Sequence, residues 1–329
     1  MPSILITGGC GFIGINLIKR FLDENKGYKI RVVDNLSVGR IEDLASVGEV
    51  TEITTEEISG APAHNLELLV GDVRDEDLAK VACQGADIVV HLAASTGVIP
   101  SIENPRGDCL DNVLGTLNVL EGSRKSGVKR FVFASSGAPL GEQEPPIHED
   151  MVPHPISPYG ASKLAGEAYC AAYYGSFGLE TVALRFGNVY GPFSNHKSSV
   201  VAKFIRHILN SEPLPIYGDG RQTRDFICVD DLVQAIGLSL DSPDIGGQIF
   251  QIATHKEHTV LEVAEELNAL AEKYLGRKSE IFFENERKGE IKRNYSDISK
   301  ARKMLGFEPK YDLKEGLEKT FIWFMERGY

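Results

Sequence analysis

Tyr159 and Lys163 lie four residues apart in Tyr159-Gly160-Ala161-Ser162-Lys163, a spacing that puts a phenol and an ammonium on one face of a helix. A neighbouring cation favours the phenolate, so the pair suits general acid/base work near neutral pH from a side chain with a reference pKa of about 10. A helix is expected here: Ser157-Pro158 offers a start, proline suits a first turn, and Gly175 and Gly178 follow an end near Tyr174. Upstream, Ser135-Ser136 closes the aliphatic run Phe131 to Ser135, which reads as a buried strand. At the C-terminal edge of a parallel sheet, where ligands bind, a hydroxyl can share a hydrogen bond with a reacting alcohol and the tyrosine. The spacing alone is common on exposed helices; its weight comes from the elements around it.

The second chemical signal stands at the start of the chain. The run Ser3 to Thr7 leads into Gly8-Gly9-Cys10-Gly11-Phe12-Ile13-Gly14, with glycines 8, 11 and 14 spaced GxxGxxG. They allow a tight turn, close backbone approach to a pyrophosphate and close helix–strand packing, with the helix N-terminus facing the phosphates. The next strand ends at Asp34, 20 residues after Gly14, where a carboxylate binds the adenosine ribose hydroxyls. A carboxylate there repels a 2′-phosphate, so NAD is expected over NADP; Arg40 is read as a solvated loop charge. Asp72, in Gly71-Asp72-Val73, falls where the adenine edge would pass and can also cap the following helix.

Stepping outward, short aliphatic runs at 3–7, 29–33, 66–70, 88–91, 131–135 and 181–186 alternate with helical segments at 12–25, 75–84, 107–126 and 158–174. This alternation predicts an α/β fold, a doubly wound parallel, Rossmann-like sheet with helices on both faces. The acidic, polar stretch 36–65 is expected to be a surface excursion with at most one short helix. Beyond about 190 the pattern loosens, with helices expected near 198–210, 230–240, 259–275, 297–305 and 313–327. We therefore expect a dinucleotide-binding domain over 1–188 that carries the Ser/Tyr/Lys set, and a smaller mixed lobe over 189–329, with segments free to cross between the two.

With 329 residues, 42% hydrophobic and 25% charged, the composition is that of a soluble globular protein. The charge of -12 from 35 Lys+Arg and 47 Asp+Glu argues against nucleic acid or anionic membrane as a partner. The five cysteines (Cys10, Cys83, Cys109, Cys170, Cys228) are odd in number and never in CxxC, so neither disulfides nor a metal site is expected and the cytoplasm fits best. No basic leader precedes an apolar stretch at the N-terminus, and no run reaches the length of a membrane span.

Taken together, TGGCGFIG at 7–14, DN at 34–35, GDVRD at 71–75, HLAA at 91–94, Asn112, ASSGAPLG at 134–141, YGASK at 159–163, LRFGNVYGP at 184–192, YGDGRQTRDF at 217–226 and ERKGE at 286–290 resemble the extended short-chain dehydrogenase/reductase family. The resemblance is to its NAD-dependent nucleotide-sugar epimerases and dehydratases, and it covers nearly the whole chain. It implies that Ser136, Tyr159 and Lys163 form the catalytic set, Lys163 also binding the nicotinamide ribose. It implies NAD contacts at Gly8, Gly11, Phe12, Ile13, Gly14, Asp34, Asn35, Asp72, Val73, Leu92, Ala93, Ala94 and Asn112. Asn188, Val201, Tyr217, Arg224 and Arg287 match positions that hold the nucleotide diphosphate of the substrate, where planar multi-donor arginines suit a pyrophosphate. The same resemblance pairs the helices at 107–126 and 158–174 across a two-fold axis into a homodimer; Cys109, Val113, Leu117, Ala165, Ala168 and Ala172 give them small or apolar faces.

Within that family, the 4,6-dehydratases carry Asp-Glu at the positions of Gly137 and Ala138, and the uronate decarboxylases a Glu at that of Ala138. Neither position is ionisable here, which leaves alcohol oxidation and ketone reduction. The expected activity is a 4-epimerase of a UDP-sugar, whether hexose, N-acetylhexosamine or uronate. A 4-ketoreductase that exchanges its cofactor, or a noncatalytic dinucleotide-binding relative, are the rival readings. Asn294 matches a pocket-size position of the family and is intermediate in bulk, admitting acetylated sugars. Lys197, just after the 184–192 motif, is a candidate partner for a uronate carboxylate. Pro139-Leu140 replaces the family's usual Val-Tyr before Gly141, and Glu290 a more usual Asp.

Overall fold

The structure, a computed structural model, describes residues 2–286 and 291–328. The strands in chain order are β1 (Ser3–Thr7), β2 (Lys29–Asp34), β3 (Thr51–Ile53), β4 (Leu66–Val70), β5 (Ile88–His91), β6 (Arg130–Ser136), β7 (Glu180–Phe186), β8 (Asn188–Tyr190), β9 (Leu214–Tyr217), β10 (Thr223–Arg224), β11 (Phe226–Cys228), β12 (Gln248–Ile252), β13 (His258–Thr259) and β14 (Ile281–Glu284). Eight of them form one sheet in the order β12-β7-β6-β5-β1-β2-β4-β3, parallel throughout. The aliphatic runs form central strands because both of their faces are covered. Ile4 and Ile6 of β1 point into one core with Leu17, Ile18, Leu232 and Ile236, while Leu5 points into the other with Val119, Leu120, Phe131 and Phe133. A strand buried on both faces in this way is the mark of a sheet sandwiched between helical layers.

The stretch 36–65 departs from the expectation of a strandless excursion. Besides the short helix Ile41–Ala45 it supplies β3, a three-residue edge strand whose Thr51-Glu52-Ile53 carries no buried aliphatic run to announce it. A helix at Val98–Glu103 also escaped the pattern, since Pro100 sits inside it. The helical region expected at 107–126 is interrupted by a π-type turn at Leu110–Leu114.

Segments beyond 188 cross to the large sheet. β12 pairs with β7 from Gln248↔Val182 to Ile252↔Phe186, and the helix Val229–Asp241 buries Leu232 and Ile236 against the helix Phe12–Asp23. The helix Ser299–Leu305 and its flanks join that same core through Ile298, Ala301, Leu305 and Phe307, while other C-terminal segments close a core of their own around Phe204, Ile216, Val263, Leu267 and Phe321. Among the described residues no helix is long and apolar enough to cross a membrane.

Candidate active site

Strand order reverses at β1, whose neighbours β2 and β5 lead away in opposite directions, and a cleft of about 780 Å³ opens there over the C-terminal strand ends. Its floor begins where β1 gives way to the glycine loop. Gly8 has φ +69, and a Cβ on it would lie 2.7 Å from the backbone nitrogen of Ala93; only glycine allows this left-handed turn and close approach. A Cβ on Gly14 would lie 2.5 Å from the Gly9 Cα, so the helix Phe12–Asp23 seats directly on the loop. Gly11 at its N-cap has no side chain to satisfy the first N–H groups, which face the cleft as an anion site.

At the tip of β2, Asp34 accepts the backbone N–H of Cys10 and of Leu36, each at 2.9 Å, and is only 8% exposed. Burial raises its pKa, opposed by those two N–H groups. Each oxygen keeps a lone pair, the geometry two ribose hydroxyls need. Asp72 is gripped by Arg74 through Nε at 3.0 Å and Nη2 at 2.7 Å and accepts Asn35 Nδ2 at 3.1 Å; chiefly the Arg74 bonds hold its pKa down to about 2. The helix cap expected of Asp72 falls instead to Asp75, which accepts the N–H of Asp77 and Leu78. Arg40 is exposed and stands outside the cleft lining. A glycine cradle at the helix N-terminus with a ribose-facing carboxylate fits NAD.

Farther along the cleft, β6 and the helix Pro158–Phe177 bring Ser136, Tyr159 and Lys163 together. The helix is started by Ser157, whose hydroxyl accepts the Gly160 N–H at 3.1 Å. Lys163, 4% exposed, donates to the Ala134 carbonyl at 2.9 Å. Burial drives its pKa down to about 8; Asp108 opposes this and Lys197 adds to it. The Lys163 Nζ lies 6.0 Å from the ring centre of Tyr159. Burial pushes the phenol up to about 12, partly offset by its hydrogen bond with Ser136. In the protein alone desolvation thus outweighs the Ser136 hydrogen bond and acts against the phenolate that a neighbouring cation favours.

Glu167 was not foreseen from the sequence. It follows Tyr159 and Lys163 at the same four-residue interval, is 2% exposed, accepts Ser135 Oγ at 2.5 Å and holds Arg185 through Nε and Nη2 at 2.8 and 2.7 Å. A carboxylate on the buried face of a largely apolar helix was the available signal.

All the residues expected at the dinucleotide, Gly8 through Ala94, line the cleft, with Asn112 the exception. Asn112 is 1% exposed because the π-type turn aims its amide at the Ser95 carbonyl, Asp108 and Ser162, so it shapes the wall from behind. Asn188, Val201, Tyr217, Arg224 and Lys197 line the other half. Lys203, also unforeseen, stands 5.5 Å over the Tyr217 ring, and Arg224 donates to the carbonyls of Thr223 and Ile291 at 2.7 Å. Asn294 is half-buried but outside the cleft lining, on the segment after β14. Arg287 lies outside the described residues. Among those described, no three His, Cys, Asp or Glu side chains cluster to hold a metal.

Comparison with known proteins places this arrangement. Residues 4–253 match the NAD dependent epimerase/dehydratase family. A UDP-glucose 4-epimerase of Mycolicibacterium smegmatis is 34% identical over 329 residues, covering 98% of this chain and 99% of that one. The solved UDP-N-acetylglucosamine 4-epimerase of Methanobrevibacter ruminantium, in complex with UDP-N-acetylmuramic acid, superposes with a TM-score of 0.86 at 33% identity over 99% of both chains. The UDP-glucuronic acid 4-epimerase of Bacillus cereus, in complex with UDP-glucuronic acid and NAD, does so with 0.85 at 29% identity, again over 99% of both. Over most of its length and through its glycine loop and Ser/Tyr/Lys cluster, this chain belongs to the NAD-dependent epimerase/dehydratase family.

Proposed function

We propose that the chain is an NAD-dependent 4-epimerase of a UDP-linked sugar. One observation carries the reading: Ser136, Tyr159 and Lys163 converge on the cleft beside the dinucleotide cradle, while Gly137 and Ala138 at the turn after Ser136 supply no further acid or base. That set can move one proton on one hydroxyl; it lacks the additional acid and base that elimination of water requires.

The dinucleotide end is Gly8, Gly11, Phe12, Ile13 and Gly14 around the pyrophosphate, Asp34 on the ribose, and Asn35, Asp72 and Val73 toward the adenine. Leu92, Ala93 and Ala94 line its nicotinamide half, with Asn112 fixing the wall behind. Asn188, Val201, Tyr217, Lys203 and Arg224 receive the UDP moiety. Ser136 and Tyr159 bracket the sugar 4-hydroxyl, and Tyr159 as phenolate takes its proton. NAD held by the glycine loop and Asp34 would supply hydride exchange at C4, away from one face of the sugar and, once the 4-keto sugar has turned over in the cleft, back to the other, so that the cycle would be redox-neutral. Tyr159 then gives the proton back to O4 of the inverted alcohol. Lys163, anchored on Ala134, supplies a positive charge that lowers the cost of the phenolate.

The test is incubation of purified protein, without added cofactor, with UDP-hexoses, UDP-N-acetylhexosamines and UDP-uronates, reading C4-inverted product by proton NMR. Conversion of at least one is expected. Inactivity on all, with steady NADH oxidation when a 4-keto sugar is supplied, would replace the epimerase by a reductase.

The same reading includes a homodimer in the cytoplasm. Supporting the dimer, Cys109, Ala168, Tyr169 and Ala172 are exposed and Val113, Leu117 and Ala165 half-buried on the helices Gly115–Lys125 and Pro158–Phe177 and the turns before them, an apolar face that a partner would cover. Supporting the compartment, all five cysteines are free thiols and four of them are buried.

A further inference from the structure

Lys197 sits in the loop between β8 and the helix Val200–Leu209, half-buried in the cleft. Its Nζ donates to the Thr96 hydroxyl at 3.1 Å, and among the described residues it forms no ion pair. Its partner Thr96 follows Ala93, Ala94 and Ser95 along the wall of the cleft that Lys163 also lines, in keeping with the charge of Lys197 being felt by Lys163. The proposed function already assigns the two pyrophosphates to other groups, one to the glycine loop and one to Tyr217, Lys203 and Arg224. A half-buried ammonium whose partner is a neutral hydroxyl retains the capacity to take an anion. Beside the catalytic lysine that anion belongs to the sugar, and Thr96 offers a second donor, as two carboxylate oxygens require.

We propose that Lys197 and Thr96 receive a carboxylate carried by the sugar next to its reacting carbinol, so that the preferred substrate is an acidic UDP-sugar. The proposal rests on the epimerase reading. Two carbons flanking C4 can bear the group: C5, through a C6 uronate, and C3, through an acid ether on O3. UDP-glucuronate and UDP-N-acetylmuramate probe these two sources, with UDP-glucose as the neutral reference.

The experiment measures kcat/KM for C4 inversion and equilibrium binding by calorimetry, for the wild-type holoenzyme, Lys197→Gln and Lys197→Arg. Wild type prefers at least one acidic sugar to UDP-glucose. In Lys197→Gln the acidic-to-neutral ratio falls roughly 10- to 100-fold, the range of one charge-assisted hydrogen bond, and Lys197→Arg restores most of it. The acid whose ratio collapses identifies the carbon. The proposal is overturned if wild type favours UDP-glucose over both acids, or if Lys197→Gln slows all three sugars equally, which marks a field effect on Tyr159 and Lys163. If no UDP-sugar is inverted, the epimerase reading fails, and the binding ratio still decides whether Lys197 selects an acid.

Discussion

The ammonium of Lys163 is tied to the carbonyl of Ala134 at 2.9 Å, one turn before Glu167 takes the hydroxyl of Ser135 at 2.5 Å. Two successive residues of β6 are thus bound to two successive turns of one helix. Ser136, next on the strand, and Tyr159, one turn earlier on the helix, are thereby held at a set separation. Preorganisation of this kind spares the reacting groups the cost of finding each other.

Tyr159→Phe removes the proton acceptor without opening a cavity. Turnover should fall by about 10²- to 10⁴-fold, while UDP-sugar binding measured by calorimetry stays within a few-fold. Near-normal turnover in the phenylalanine variant would sink the mechanism.

Glu167 and Arg185 are both almost fully buried. Glu167→Ala leaves an uncompensated guanidinium and should destabilise by about 3–5 kcal/mol in urea unfolding. Replacing both by Leu and Met should cost less than that single change, because no buried charge is stranded.

His91 lies between Thr7 Oγ1 at 2.7 Å and Thr116 Oγ1 at 3.0 Å, and burial, aided by Lys163, takes its pKa down to about 3. Below the ordinary value of 6.5 the unfolded chain binds a proton that the folded one refuses. Stability is therefore full above 6.5 and lost as pH falls toward 3. The slope is about 1.4 kcal/mol per pH unit, so about 2 kcal/mol is gone by pH 5. In His91→Gln, unfolding between pH 7.5 and 5 should show a shallower slope; an unchanged slope refutes the assignment.

Asp34→Ala deletes the ribose-facing carboxylate and frees the N–H groups of Cys10 and Leu36. NAD affinity should drop about 10- to 100-fold, with NADP affected less. Fluorescence titration of the stripped protein with each dinucleotide checks the ratio.

The glycine loop, the alternation of strands with helices, Asp34 and the Tyr159/Lys163 spacing were legible in the sequence, because each is a local constraint: a φ only glycine tolerates, a short aliphatic run followed by a helix-length segment, a carboxylate at a fixed distance, a helical repeat of four. The desolvation of Tyr159, the seat of Asn112 behind the wall, Asn294 standing outside the cleft, and the partners of Asp72 and Glu167 were not. β12 returning beside β7 was likewise hidden. These depend on which side chains far apart in the chain desolvate or bond one another, and such pair energies exist only once the tertiary fold has set the distances.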